Sequence, residues 1–259
     1  MIEINAAPRL DLKIEGNIAT ISFNNPRAHN AMTWEMYEQL KKICDKLAIN
    51  MKIRAVILRG EGGRAFISGS DIKQFVNLRK DEPYEKTVDL IFQSLQQLPI
   101  PTIALINGLA MGSGLLIATA CDFRISTPDT RFGIPIAKTL GNCLSPSNLS
   151  WISSHLGMDM VKRMLLLAEP ISATELLDKG YLYKVVKAEE IDQCTNDLAI
   201  CLSQLAPMTQ KATKLTLAKL LENNLPDCSL LMRETYNSQD FQEGVIAFIS
   251  SKKPNWTGK

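Results

Sequence analysis

The sequence predicts an α/β fold, on three observations. Between residues 53 and 126, apolar runs with the character of buried strands alternate with stretches of helical periodicity. Two loops, Ala65-Phe66-Ile67-Ser68-Gly69-Ser70-Asp71-Ile72 and Asn107-Gly108-Leu109-Ala110-Met111-Gly112-Ser113-Gly114, each follow a β-rich run and feed a segment that can be helical. Beyond Pro146 the pattern is mostly helical, and only Tyr181 to Val186 reads there as a strand.

In chain order, Leu10, Leu12 and Ile14 alternate with polar residues, Glu15-Gly16-Asn17 turns, and Ile18 to Phe23 returns, which makes a hairpin. Asn24-Asn25-Pro26 ends it. Thr33 is placed to cap a helix carrying Met36, Leu40, Ile43 and Leu47 on one face. Ile53 to Leu58 reads as a buried strand that enters the first loop. Residues 84–98 carry Val88, Ile91, Phe92 and Leu95 at helical spacing, and Pro99-Ile100-Pro101 stops that helix. The strand Thr102 to Ile106 enters the second loop. A short helix of small residues then runs through Ala120, and Cys121 to Ser126 is the next strand. Pro207 and Pro226 punctuate the last helices, and Phe241 to Lys253 forms an amphipathic helix ending in Lys252-Lys253-Pro254. The apolar faces of this helical third pack on their own domain or on a neighbouring subunit; the pattern alone leaves both open.

A chain of 259 residues can bury a full core as one large domain, or as one domain with an appendage. Its apolar content of 46% and charged content of 22% are those of an ordinary globular protein. A net charge of +2 argues for neither nucleic acid nor an anionic membrane. The apolar runs stop short of the roughly 18 residues that cross a bilayer. Met1-Ile2-Glu3-Ile4 leads straight into a strand pattern without a basic-then-apolar leader. Cys44, Cys121, Cys143, Cys194, Cys201 and Cys228 form no CxxC pair, and with only two histidines no Cys/His zinc spacing exists. The expectation is a cytoplasmic protein with reduced thiols and no metal.

The two loops carry the chemistry. Each presents backbone N–H groups at the start of a helix, where partial positive charge gathers. Two such donors aimed at one point form a pocket for negative charge developing on a carbonyl oxygen, the device of enolate and acyl-transfer reactions.

The order Asn25-Pro26-Arg27-Ala28-His29-Asn30-Ala31, Ala65 to Lys73, Pro101-Thr102-Ile103-Ala104 into Asn107-Gly108, Gly112-Ser113-Gly114, Cys121-Asp122 and Phe132-Gly133-Ile134-Pro135 strongly resembles the crotonase family. Enoyl-CoA hydratases and isomerases are its best-known members. The resemblance spans nearly the whole chain, including Asp240-Phe241-Gln242-Glu243-Gly244 to Lys253. It implies a spiral of ββα units with a helical trimerisation region, here a core over residues 1–200 and an oligomerisation region over 201–259. It further implies a homo-trimer or a hexamer built as a dimer of trimers. No cofactor is held permanently; coenzyme A arrives as part of an acyl-CoA substrate.

Carried over residue by residue, the resemblance places the two oxyanion donors on the N–H groups of Ser70 and Ser113. Ser113 puts a Cβ and a hydroxyl where the family usually has glycine, which narrows the slot or adds a third donor. The CoA end maps onto Arg27, Ala28, His29 and Ala31 in one loop and Ser68, Asp71, Ile72 and Lys73 in another. Arg27, Lys73 and Lys252 or Lys253 meet CoA phosphates or stay solvated. His29 is expected at the rim near the nucleotide, and His155 in a structural role.

The departures from the family pattern are as informative. Hydratases of the family use two glutamates, at positions that here hold Leu116 and Ile136. Neither side chain can carry a proton, and positioned acid–base groups contribute about 100- to 10,000-fold each. The following loop is also altered, to Leu140-Gly141-Asn142-Cys143-Leu144-Ser145-Pro146. Ser145-Pro146 reads as an N-cap with proline at the first helical position. Asn142 and Cys143 are expected to face the acyl pocket with Leu116 and Ile136. Lys138 is expected at the surface and Asp122 in a structural role. Two readings follow: an acyl-CoA enzyme with altered chemistry, best suited to decarboxylation or slow thioester conversion, and a non-catalytic CoA-thioester binding protein or partner subunit. A dinucleotide site built on Gly112-Ser113-Gly114 is disfavoured, because the fingerprint lies far into the chain and the next strand pattern ends without an acid.

Overall fold

The computed structural model describes residues 7–77, 84–222 and 229–257. The N-terminal hairpin is β1 (Arg9–Glu15) with β2 (Ile18–Asn24), antiparallel, with Leu10 opposite Phe23. It leads into α1 (Trp34–Ala48), where the Thr33 hydroxyl accepts from the Met36 N–H at 3.3 Å, as the capping pattern predicts. Met36, Tyr37, Leu40, Cys44 and Leu47 are the buried face of α1.

From there the chain repeats strand, strand, helix three times. The units are β3 (Ala55–Gly60), β4 (Ala65–Ile67) and α2 (Tyr84–Gln96); β5 (Thr102–Ile106), β6 (Leu109–Met111) and α3 (Ser113–Ala120); β7 (Phe123–Ser126), β8 (Arg131–Gly133) and α4 (Ile136–Thr139). The first strand of each unit joins a six-stranded sheet of order β1-β2-β3-β5-β7-β10, closed by β10 (Lys184–Val185). The second joins a four-stranded sheet of order β4-β6-β8-β9, closed by β9 (Ile171–Ser172). Within each sheet these repeated strands are parallel, and among the described residues only β1–β2 and β8–β9 run antiparallel. Parallel strands need helical crossovers, and α2 and α3 supply them.

The remaining helices are α5 (Pro146–Leu156), α6 (Met158–Leu166), α7 (Ala173–Asp178), α8 (Ile191–Ser203), α9 (Pro207–Glu222), α10 (Ser229–Asn237) and α11 (Gln239–Ile249). The outer face of the large sheet, with Ile57, Ile103 and Ile125, packs under Ile191, Ala199 and Leu202 of α8. The main core lies on the other side, where α1 to α3 and the small sheet bury Phe23, Phe66, Phe92 and Phe132. Among the described residues no helix is long and apolar enough to cross a membrane.

The C-terminal helices are tied to this body. Lys214 of α9 donates to Asp122 Oδ2 at 2.6 Å and to the Ile100 carbonyl at 3.0 Å. A Cβ on Gly244 of α11 would lie 2.3 Å from the Leu140 carbonyl oxygen, so only glycine permits this approach. The apolar face of α11 therefore packs on its own chain through Phe241, Gly244, Val245 and Ala247. The expected boundary at residue 200 falls inside α8. The tail helix stops at Ile249 instead of Lys253: Ser251, at φ +53°, donates to the Phe248 carbonyl, and the Lys252 N–H closes on the Ala247 carbonyl at 2.8 Å. That is a Schellman ending with serine in the left-handed position. Pro226 and Cys228 lie outside the described residues, as does the start of the chain through residue 6.

Candidate active site

The loop at residues 25–31 is a short 3-10 turn at Pro26–Ala28 followed by His29 and Asn30 at φ +50° and +58°. Asparagine tolerates this left-handed conformation, and the Asn30 side chain is fully employed. Its Oδ1 accepts from the Asn25 N–H at 3.0 Å, and its Nδ2 donates to the carbonyls of Glu61 and Ala65, each at 2.9 Å. The loop is thus pinned to the β3–β4 connection. The segment after β4 lies alongside: the Ser68 N–H donates to the His29 carbonyl, and the Ser68 hydroxyl to the Ala28 carbonyl, both at 3.1 Å. The Met32 N–H donates to the Gly69 carbonyl and the Asp71 N–H to the Met32 carbonyl, both at 2.8 Å. Because Gly69 O and Asp71 N both face Met32, the Ser70 amide between them is directed to the opposite side. The Ser70 hydroxyl bonds that of buried Tyr37 at 2.8 Å.

Arg27, Ala28, His29 and Lys73 are exposed on the rim formed by these two segments, Ala31, Ser68 and Asp71 are half-buried, and Ile72 is buried. Asp71 Oδ1 accepts from the Lys73 N–H at 3.1 Å, at the head of the 3-10 turn Ile72–Asn77.

The second loop meets the first backbone to backbone. Gly112, at φ +54° and ψ −120°, donates its N–H to the Gly133 carbonyl at 2.8 Å. A Cβ there would lie 3.4 Å from Gly69 Cα. At Gly114 a Cβ would come within 2.2 Å of the Ile67 carbonyl oxygen, so α3 can begin against the end of β4 only with glycine. Ser113 is the first residue of α3, whose N–H the helix cannot pair and where the helix dipole is positive.

A cavity of about 130 Å³ lies between the loops. Ser68, Gly69 and Ser70 border it from one loop, and Gly112, Ser113 and Leu116 from the other. Ile134, Pro135 and Ile136 form a second wall, and Phe248 of α11 a third. Among the described residues, no aspartate, glutamate, histidine, lysine, arginine or cysteine lines it. Leu116 is buried in the first turn of α3, and Ile136 is the half-buried first residue of α4.

Asn142 and Leu144 also line the cavity, whereas Cys143 between them does not, contrary to expectation. Residues 141–144 have no regular structure, so no periodicity fixes which side chains turn inward, and the Cys143 carbonyl accepts from the Tyr236 hydroxyl at 3.5 Å. Asn142 Nδ2 donates to the same hydroxyl at 3.3 Å. Ile72, Val88, Met111, Thr139, Leu140 and Phe248 complete the lining; of these, Val88, Thr139 and Phe248 stand outside the quoted motifs and carry no local signal.

A carboxyl beside this cavity, that of Asp89, is engaged elsewhere. Asp89 follows the lining residue Val88 on α2, and its Oδ1 accepts from the Ser145 hydroxyl at 2.7 Å and Asn148 Nδ2 at 2.8 Å. Ser145 in turn caps α5, accepting from the Asn148 N–H at 3.1 Å, with Pro146 in the first turn as predicted. Burial raises the Asp89 pKa above its ordinary value. His155 stacks on Trp151, bonds its carbonyl at 2.8 Å and is pushed down in pKa by burial, a structural role. Asp122 is held by Thr102 and Lys214, and Lys138 is exposed. Cys44 and Cys121, driven to about 12 by burial, are inert thiols. A more open hollow of about 520 Å³ between β10 and α8 is bordered by none of the motif residues. No cluster of metal-ligating side chains occurs among the described residues.

The profile of the enoyl-CoA hydratase/isomerase family matches residues 13–259. The short-chain-enoyl-CoA hydratase of Clostridium acetobutylicum is 28% identical over 251 residues, covering 93% of this chain and 95% of that protein. Among solved structures, a methylmalonyl-CoA decarboxylase in complex with 2-nitronate-propionyl-CoA matches with a TM-score of 0.89 at 27% identity, over 98% of this chain and 100% of that one. An enoyl-CoA hydratase/carnitine racemase from Magnetospirillum magneticum matches with a TM-score of 0.78 at 28% identity, over 100% and 98% of the two chains. Motif order, strand–strand–helix architecture and these likenesses agree, and the chain belongs to the enoyl-CoA hydratase/isomerase, or crotonase, family.

Proposed function

We propose that this protein binds short-chain acyl-CoA thioesters and decarboxylates those bearing a carboxylate on the α-carbon, the malonyl type. One observation carries this reading: among the described residues, no acid or base lines the cavity bordered by Ser70 and Ser113. The thioester oxygen accepts from the N–H groups of Ser70 and Ser113. The bond between the α-carbon and the carboxylate breaks, CO2 leaves, and the electron pair moves onto the enolate, whose oxygen those donors stabilise. Water then supplies a proton to the α-carbon. Negative charge moves from the carboxylate to the one place with fixed donors, where such stabilisation counts most. Hydration of an enoyl thioester asks for more. A water must be activated and a proton delivered, and Leu116 and Ile136 can do neither.

The coenzyme end lies across the rim, with Ala28, His29, Ala31, Ser68, Asp71 and Ile72 offering largely backbone contacts. Arg27 and Lys73 meet phosphate through charge. The likeness to methylmalonyl-CoA decarboxylase supports the reaction class, and the hydratase relatives support the thioester. The assembled form is a trimer or a dimer of trimers.

The test is a panel of saturated, enoyl and malonyl-type thioesters incubated with the protein and followed by mass spectrometry. Loss of CO2 from malonyl- or methylmalonyl-CoA, with crotonyl-CoA taking up no water, is the expected result. Hydration of crotonyl-CoA as fast as malonyl-type turnover would overturn it. Tight binding of every thioester without mass change selects the second reading, a non-catalytic CoA-thioester binding subunit. The apolar Leu116 and Ile136 favour that reading as well.

A further inference from the structure

Residue 70 is held along one edge by the residue it bridges. The Gly69 carbonyl accepts from the Met32 N–H, and the Asp71 N–H donates to the Met32 carbonyl, both at 2.8 Å. Both bonds run to a single residue, so they define an axis about which the Ser70 backbone can still rock. Gly69, at φ +128°, has no side chain to stiffen the approach. Rocking about that axis swings the Ser70 N–H toward or away from the cavity that Ser70 borders. A restraint lying off the axis opposes this motion, and the Ser70 side chain supplies one. Its hydroxyl bonds the Tyr37 hydroxyl at 2.8 Å.

Tyr37 is a rigid post for that bond. It stands near the start of α1, 1% exposed, with its N–H donating to the Thr33 carbonyl at 3.0 Å. Its ring meets Phe92 of α2 edge-on with centroids 6.3 Å apart, and lies 6.0 Å from the ring of Trp34. A phenylalanine would fill the same space without burying a hydroxyl, whose desolvation must be offset by a partner. Ser70 is such a partner. We propose that Tyr37 is a positioning residue: its hydroxyl, acting through that of Ser70, aims the Ser70 amide at the substrate's thioester oxygen. Tyr37 itself touches no substrate. A functional donor has to be held within about 0.5 Å of its productive place, and a misplacement of about 1 Å can cost about 100-fold in rate. The inference rests on the Ser70 N–H being an oxyanion donor and deepens that reading by naming what holds it in line.

The test is isotope-edited infrared spectroscopy of bound propionyl-CoA, labelled at its thioester carbonyl and carrying no carboxylate to lose. Donors aimed at the oxygen polarise the carbonyl, so wild type is expected to move its stretching band to lower frequency. Tyr37→Phe drops a single oxygen and keeps the ring contacts. It should remove a large part of that displacement while propionyl-CoA affinity, measured by calorimetry, stays within about twofold. Ser70→Ala keeps the backbone N–H and should have the same effect, so the two variants test the linkage from either end. The double variant should lose no more than either single one, because both changes break one connection. A displacement undiminished in Tyr37→Phe, or losses that add in the double variant, would overturn this inference alone. Wild type that binds propionyl-CoA with no displacement defeats the proposed oxyanion donors, and the positioning role with them.

Discussion

Ser113 opens α3 with an N–H that the helix cannot use, so proline can replace it there without breaking a helical bond. Ser113→Pro is therefore a clean removal of one proposed oxyanion donor. Turnover of a malonyl-type thioester should fall about 100- to 1,000-fold, with affinity for CoA little changed. An unaltered rate in a kinetic assay would take that amide out of the mechanism. The complementary change restores what the cavity lacks. Leu116 stands in the first turn of α3 and Ile136 at the first position of α4, both places where helix dipoles favour a carboxylate. Leu116→Glu combined with Ile136→Glu should raise crotonyl-CoA hydration above the wild-type level, at some loss of stability from burying two acids. If wild type hydrates crotonyl-CoA equally well, positions 116 and 136 are not where the missing protons belonged.

The joint between α2 and α5 shows what an element owes to one buried acid. Asp89 Oδ1 receives both the Ser145 hydroxyl and Asn148 Nδ2 at the start of α5. Burial holds its pKa above the ordinary 3.8, so the folded chain binds this proton more tightly than the unfolded one. The contribution to stability is therefore fullest below pH 3.8 and is lost as pH rises through the elevated pKa. Asp89→Asn keeps an acceptor oxygen and drops the charge. Urea denaturation should find the variant at least as stable as wild type at neutral pH, with the gap closing as the pH falls into the carboxylate range. A variant weaker by more than about 1 kcal/mol at neutral pH would mean that the anion's attraction to the α5 terminus outweighs its desolvation.

Elements fixed by local chemistry were legible beforehand: the hairpin around Gly16, the Thr33 cap, the strand Thr102–Ile106, and the Ser145-Pro146 start of α5. The small sheet was not. β4, β6 and β8 have three residues each, too few for a periodicity, and exist because they pair with one another across long stretches of sequence. The candidate site divides the same way. Its two loops announce themselves through glycines that backbone contact demands, while Val88, Thr139 and Phe248 reach the cavity only through tertiary packing. Cys143 was misplaced because a stretch without regular structure gives no sign of which side chains turn inward.

At the scale of the whole molecule, the C-terminal helices are anchored on one side and bare on the other. Lys214 and buried Ala218 face the body from α9, so helical geometry turns Leu217 and Leu220 outward, where they are 57% and 64% exposed. Leu230 and Leu231 of α10 are exposed to the same degree. Covering a leucine gains about 1.5–3 kcal/mol, and monomeric proteins seldom leave extended apolar patches in water. The proposed trimer or hexamer would cover this face. Light scattering behind size exclusion should therefore give a mass of three or six chains. Leu220→Lys with Leu231→Lys should shift it to smaller species while far-ultraviolet dichroism stays unchanged, because neither residue belongs to the Lys214–Asp122 anchor. The melting temperature of wild type should rise with protein concentration, and that dependence should vanish in the double variant. A wild-type protein that runs as a single chain at micromolar concentration would leave these leucines without a partner and refute the assembly.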